Sequence, residues 1–175
     1  KSSLPVSASR YPTPGSAAET AMTGIGQASV RATPMQMAMV AAAVANEGRL
    51  MRPYVVDREL SADLDVVTET TPSEMSRPVD ADTAATLTDL MESVVTDGSG
   101  RRAAVPGVRV AGKTGTAEIA QGTAPTVWFI GFAPAEDPRI AVAVMLEDGG
   151  GAAGGTGGTV AAPIAQRVLA AGVAP

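Results

Sequence analysis

The sequence contains no cysteine and no histidine among its 175 residues. The absence of cysteine excludes disulfides and thiol catalysis within this chain, and the absence of both residue types removes the usual zinc ligands. Without histidine, no Ser-His-Asp triad can form within the chain. We therefore expect no metal site, and nothing in the sequence indicates a cofactor.

Aromatic residues and basic charge are also scarce. Aromatics make up 3% of the residues and hydrophobics 45%, so we expect a core of aliphatic side chains and methionine. The formal net charge is −5, which leaves no basic face for a nucleic acid. Arg101 and Arg102 form the only doubly basic step, which we interpret as a solvated loop.

Long apolar runs are missing as well. The longest uncharged apolar stretch covers residues 32–46 and is shorter than the roughly 20 residues that a membrane-spanning helix needs. The residues from Lys1 onward do not have the pattern of a signal peptide. We expect any membrane anchor to lie outside this chain, which reads as a fragment of a longer protein.

Composition divides the chain into three parts of one domain, or of a large piece of one. Residues 1–32 are rich in Ser, Pro, Gly and Thr and predict irregular structure. Residues 33–107 are predicted to be mainly helical, with one short strand-like run at residues 54–56. Residues 108–175 are predicted to form sheet strands and a final helix around Leu169.

Two helices are predicted in the middle part. Thr33 can cap the first, Pro34 suits its first position, and Gln36 completes a capping box. The helix that follows is apolar nearly all round, so we expect it to be buried. The second helix is predicted to begin at Asp80 or Asp82.

Three extended runs after the helices predict strands, at residues 108–120, 126–133 and 140–147. The connections between them are short, which favours an antiparallel meander over parallel crossovers. The sequence therefore predicts an α/β chain of the α+β type, with an antiparallel sheet flanked by helices.

Two segments match the residue patterns of nucleotide-binding sites, but the secondary structure predicted around them does not fit such sites. Residues 107–114 fit the P-loop pattern, but a P-loop follows a buried strand and opens a helix, and neither flank supplies these elements. Gly149, Gly151 and Gly154 spell a dinucleotide-binding pattern, yet no second parallel strand follows. We interpret the first match as a strand and residues 149–158 as a flexible connector.

The segment from Gly112 to Thr116 has the residues that a peptide-binding edge strand needs. Glycine weakens a strand, so the glycines beside Lys113 suggest the close approach of another backbone. On an edge strand a substrate peptide can add as a further strand, and a cation with neighbouring hydroxyls can hold its carboxylate. The alternative is a lysine on a solvated strand with incidental glycines.

The run Lys-Thr-Gly-Thr-Ala-Glu at residues 113–118 resembles the third signature of the penicillin-binding and serine β-lactamase superfamily. Further segments resemble class B penicillin-binding proteins, at residues 24–27, 33–38, 45–48, 128–134 and 161–163. The chain is rich in Ala and Arg, and Lys1 and Lys113 are its only lysines. This composition points to an actinobacterial member, and the quoted segments most resemble the mycobacterial penicillin-binding protein A type.

The resemblance implies the C-terminal part of a penicillin-binding fold and an acyl transfer from a D-alanyl-D-alanine stem peptide of peptidoglycan. It implies that Lys113 supports the serine of an S-x-N motif and the positive potential of the cleft. Thr114 and Thr116 would bind the terminal carboxylate, and the Thr116 N–H would form half of the oxyanion hole. Gly115 would permit close approach of the substrate, and Glu118 would lie near the cleft or serve only the surface.

The same resemblance implies cell-wall cross-linking and septum formation, β-lactam antibiotics as acylating ligands, and cell-division proteins as candidate partners. The resemblance also implies a location at the extracytoplasmic face of the cell membrane.

The S-x-x-K nucleophile is absent from this chain, because neither Lys1 nor Lys113 stands three residues after a serine. Asn46, the sole asparagine, has Val44 two positions before it, so S-x-N is absent too. We expect both motifs upstream of Lys1 and no turnover by this chain alone.

Other functions of the same fold stay open at this point. A class A β-lactamase would need an E-x-x-L-N segment, which the chain lacks because Ala42 stands four residues before Asn46. A β-lactam sensor or a non-catalytic wall-associated domain would share the signature strand. Nucleotide binding through residues 107–114 is the alternative outside this superfamily.

Overall fold

The computed structural model describes residues 7–118, 122–150 and 154–174. Four helices and seven strands lie in these ranges. In chain order they are α1 (Ala17–Gly24), α2 (Pro34–Ala45), β1 (Leu50–Met51), β2 (Arg58–Leu60), β3 (Val66–Glu69), β4 (Glu74–Ser76), α3 (Ala81–Thr96), β5 (Ala111–Ala117), β6 (Thr126–Ala133), β7 (Ile140–Leu146) and α4 (Ala162–Val173). Short 3₁₀ turns cover Arg101–Ala103 and Asp148–Gly150, and a π turn at Gly157–Ala161 leads into α4.

The main sheet is the antiparallel meander that the sequence predicts, in the order β5-β6-β7. The first strand begins at Ala111 and not at position 108, because Val105 and Val108 close a tight turn before it. The predicted end of that strand, at positions 119 and 120, lies outside the described residues. The α+β fold class is confirmed.

Helices cover both faces of the sheet. On one face Phe129 packs with Val95 of α3 and with α4, including Leu169. On the other face Phe132 packs with Met91 of α3 and with the end of α2. Phe129 and Phe132 are fully buried at 0% exposure, so the expectation of an aliphatic core missed its two largest members. A low aromatic fraction says nothing about where the few aromatic residues lie.

Helix α2 has the predicted start but only half of the predicted capping box. Thr33 accepts a hydrogen bond from the Gln36 N–H at 3.1 Å. The Thr33 N–H donates instead to the Ser9 hydroxyl at 3.1 Å. The prediction of a buried helix is wrong, because only Ala41 and Ala43 are buried along α2. The helix packs on the sheet with one side, and no described layer covers its other side.

The first 32 residues are not wholly irregular, since α1 forms within them. Ser16 caps this helix by accepting from the Glu19 N–H at 3.2 Å, and the Glu19 carboxylate accepts from the Gly15 N–H at 2.8 Å. The sequence did not predict this helix, because the Ser, Pro and Gly residues around it are typical of irregular structure. The run at residues 54–56 is not a strand either: it connects β1 to β2 and is exposed.

Helix α3 begins where the sequence predicts. Asp80 caps it, with a carboxylate oxygen accepting from the Thr83 N–H at 2.7 Å. The hydrogen bonds from the side chain and backbone of Thr83 hold the pKa of Asp80 below its usual value.

Within the described ranges, no helix is both long and apolar enough to cross a membrane.

Candidate active site

The first strand of the main sheet has one open edge. In the described part of the chain β5 pairs only with β6, with Lys113 opposite Ile130 and Thr116 opposite Val127. The exposed Lys113 ammonium donates to the Thr114 carbonyl at 2.6 Å, so this carbonyl faces the open edge. In a strand the N–H and C=O of one residue point to the same side, and alternate residues share that side, so the Thr116 N–H faces the open edge too. The predicted edge strand is confirmed.

Lys113, Thr114 and Thr116 lie together along this edge. The pleat places Lys113 on the Phe132 face of the sheet and both threonines on the Phe129 face. The Lys113 side chain bends round the edge to reach Thr114, and Thr116 is exposed. One cation, two hydroxyls and one outward N–H therefore share a single rim, a set that can bind a carboxylate and an oxyanion.

One glycine of the segment, Gly112, is small for a different reason from the expected one. A Cβ at Gly112 would overlap the ring of Phe129, so the small residue makes room for core packing and not for another backbone. A Cβ at Gly115 would stand 3.3 Å from the Cβ of Trp128, on the opposite face. The expectation of a backbone approach is thus wrong for Gly112.

A serine that the sequence reasoning missed lies against this strand. The Ser99 hydroxyl is 2.6 Å from the Thr114 hydroxyl, across 15 residues of sequence. Ser99 stands in the turn after α3, between Gly98 and Gly100. No local pattern marks such a serine, because its role depends on where the turn meets the sheet.

The structure also places the other segments that the sequence analysis considered. Residues 112–114 lie inside β5 and no helix follows them directly, which confirms that residues 107–114 are not a P-loop. The connector predicted at residues 149–158 lies partly outside the described residues, because positions 151–153 are not described. Arg101 and Arg102 are exposed but lie in a 3₁₀ turn, where Arg102 donates to the Thr159 carbonyl at 3.2 Å. Glu118 is exposed, one residue past β5.

An ion pair holds the chain segment just before β5 against helix α3. Arg109 donates to both carboxylate oxygens of Glu92 in α3, at 2.8 and 2.9 Å from one nitrogen. This hydrogen bonding, with the charge of Glu92, raises the pKa of Arg109. The Arg109 carbonyl also accepts from the Ala135 N–H at 2.9 Å. Helix α3 is thereby tied to the segment that leads into the candidate strand.

Across the described ranges, no group of three or more acidic, histidine or cysteine side chains could hold a metal ion. The rim of β5 itself offers a cation, two hydroxyls and an oriented backbone N–H.

Residues 1–170 match the family model of the penicillin binding protein transpeptidase domain. The chain is 48% identical over 160 residues to the peptidoglycan D,D-transpeptidase PbpA of Mycolicibacterium smegmatis, covering 89% of this chain and 32% of that protein. It is 43% identical over 163 residues to the PbpA of Mycobacterium tuberculosis, covering 91% of this chain and 33% of that protein. The chain thus spans about a third of the length of these relatives.

Solved structures agree with the sequence matches. Penicillin-binding protein A from M. tuberculosis, as its ceftriaxone acyl-enzyme complex, superposes with a TM-score of 0.92 and 40% identity. That match covers 98% of this chain and 39% of the solved chain. The penicillin G acyl-enzyme complex of the same protein gives a TM-score of 0.81 at 38% identity, over 96% of this chain and 38% of the solved one.

Proposed function

Because the chain belongs to the penicillin-binding protein transpeptidase family, we propose that it supplies the substrate-binding strand of a class B peptidoglycan D,D-transpeptidase. The observation that carries the proposal is the open edge of β5, where Lys113, Thr114 and Thr116 share one rim. The substrate would be a stem peptide ending in D-alanyl-D-alanine. It would add to β5 as a further strand.

The side chains at the rim would hold the substrate carboxylate. Lys113 gives a fixed positive charge, and hydrogen bonds between a hydroxyl and an ionised carboxylate are stronger than those between neutral groups. Thr114 and Thr116 lie on one face of the strand, two residues apart, so both hydroxyls can reach one anion. The same groups would receive the carboxylate of a β-lactam antibiotic.

The backbone at the rim would stabilise the transition state. The Thr116 N–H points to the open edge from a hydrogen-bonded sheet, so it needs no reorientation during the reaction. A preorganised donor of this kind typically lowers an acyl-transfer barrier by about 3 kcal/mol. It would form one half of an oxyanion hole.

The nucleophile would come from a preceding segment of the intact protein. A serine of an S-x-x-K motif would attack the carbonyl between the two D-alanines, and the terminal D-alanine would leave with a proton on its amine. A neighbouring stem peptide's amine would then attack the acyl-enzyme and release the serine. Such a protein would be anchored at the extracytoplasmic face of the membrane and act in wall synthesis at the septum, with cell-division proteins as partners.

The proposal is tested by acylation of the intact protein with a fluorescent penicillin. We expect one covalent adduct, and we expect Lys113→Ala to slow its formation by about a hundredfold or more because the fixed cation is lost. Arg58→Ala removes an exposed cation of β2 that pairs with Asp57 at 3.0 Å, and it should leave the rate unchanged.

Two results would count against the proposal. Absence of any adduct would favour a non-catalytic wall-associated domain. A stable adduct without release of D-alanine from a stem peptide would favour a β-lactam sensor.

A further inference from the structure

A hydrogen bond joins the turn after α3 to the candidate substrate-binding strand. The Ser99 and Thr114 hydroxyl oxygens are 2.6 Å apart. We propose that Ser99 is a positioning residue that donates this bond to Thr114 and thereby directs the Thr114 proton at the substrate carboxylate. The inference rests on the proposed function, since it concerns how Thr114 meets an anion.

The direction of the bond follows from counting donors and acceptors. Each hydroxyl has one proton to donate and two lone pairs to accept with. A carboxylate can only accept hydrogen bonds. When a carboxylate is bound, the Thr114 hydroxyl must therefore donate its proton to it. The proton between the two hydroxyls must then come from Ser99. Donation to Thr114 also polarises its O–H bond, because chains of hydrogen bonds strengthen one another.

The turn that carries Ser99 is held firmly in place. The Gly100 N–H donates to the Val94 carbonyl at 2.9 Å, which ties the turn to the last part of α3. The backbone of Gly158 packs against the Ser99 carbonyl so closely that a Cβ at Gly158 would overlap it. A hydroxyl on a backbone fixed from two sides is suited to orient a neighbour.

The remaining geometry is consistent with orientation rather than direct contact. Thr114 is half-buried, and the Cβ that Gly158 lacks would stand 3.7 Å from its methyl group. The methyl therefore faces packed backbone, and the hydroxyl is the group left to turn toward the rim. Removing Ser99 Oγ would free the Thr114 hydroxyl to rotate to another acceptor, while Lys113 and the Thr116 N–H stay in place.

The test compares two ligands on the intact protein: a fluorescent penicillin and its methyl ester, which lacks the carboxylate charge. The measured quantity is the ratio of the two second-order acylation rates, acid over ester. We expect Ser99→Ala to lower this ratio roughly fivefold to tenfold, the kinetic equivalent of one ordinary hydrogen bond. Ser99→Thr, which keeps a hydroxyl, should restore it.

A matched control removes a different serine hydroxyl. Ser93 lies in α3, where its hydroxyl donates to the Asp89 carbonyl at 3.0 Å, and Ser93→Ala should leave both rates unchanged. Thermal unfolding of every variant shows whether the fold is preserved.

Each other outcome overturns the inference in a distinguishable way. An unchanged ratio in Ser99→Ala, with normal acylation of the parent protein, would refute the role of Ser99 and leave the proposed function intact. Equal slowing of acid and ester with a lower melting temperature would assign Ser99 a structural role only. If the parent protein formed no adduct at all, the proposed function and this inference would both fall.

Discussion

The ring of Phe129 occupies the space directly above Gly112, the residue before Lys113. Gly131, opposite Gly112 on β6, leaves the same space open, because a Cβ there would stand 2.9 Å from a Phe129 ring carbon. The glycine pair and the aromatic ring form one packing unit. The position of the candidate substrate-binding strand therefore depends on a residue of the buried core.

The packing unit predicts that Gly112→Ala is destabilising. The added methyl would overlap the Phe129 ring, and overpacking of this kind typically lowers the free energy of unfolding by about 1–3 kcal/mol. Urea unfolding of the intact protein measures the change. Gly24→Ala is the control, because a Cβ at the end of α1 meets nothing within 4 Å. Equal stability of the two variants would show that Phe129 does not confine Gly112.

The ion pair between Arg109 and Glu92 predicts a small, salt-sensitive contribution to stability. Glu92→Gln should lower the melting temperature by roughly 1–3 °C at low ionic strength, and by less in high salt. Glu47→Gln breaks a looser pair, 3.6 Å from Arg49 with both side chains exposed, and should change little. A similar shift in both variants would contradict a specific tie between α3 and the start of β5.

The lowered pKa of Asp80 predicts a pH-dependent cap on α3. A carboxyl group whose pKa is lower in the folded state than in the unfolded chain stabilises the folded state at every pH above the unfolded pKa. This contribution disappears as the pH falls through the folded value. Asp80→Asn keeps an acceptor for the Thr83 N–H but cannot titrate. The parent protein should therefore melt higher than Asp80→Asn at neutral pH, and the gap should close in acid. A gap that stays constant with pH would disprove the charge effect.

Local signals in the sequence predicted the meander and two helix starts well. Strand β6 has the predicted bounds, and Thr33 and Asp80 cap the helices that follow them. These features depend on neighbours in sequence, such as a capping side chain or alternating apolar residues. For the same reason the alternation and the flanking residues of the signature run at 112–116 were enough to assign it to a strand.

The features that escaped prediction depend on contacts distant in sequence. Ser99 meets Thr114 only because α3 ends beside β5, and Gly112 is small because Phe129 folds back over it. Helix α2 is half-exposed although its sequence is apolar, because burial depends on which layers surround it. Periodicity and caps carry no information about such neighbours.

We propose that the Thr116 N–H at the open edge of β5 serves the reaction, and two substitutions at this one position test that role. Thr116→Val removes the hydroxyl but keeps the N–H, whereas Thr116→Pro removes both, and an edge strand tolerates proline where its N–H faces outward. The measurement is the acylation rate of the folded intact protein by the methyl ester of penicillin, for which the hydroxyl matters least.

We expect Thr116→Val to stay close to the parent rate and Thr116→Pro to be slower by roughly a hundredfold to a thousandfold, the effect of one lost oxyanion donor. Equal rates for the valine and proline variants, both folded, would show that the Thr116 N–H does not stabilise the transition state.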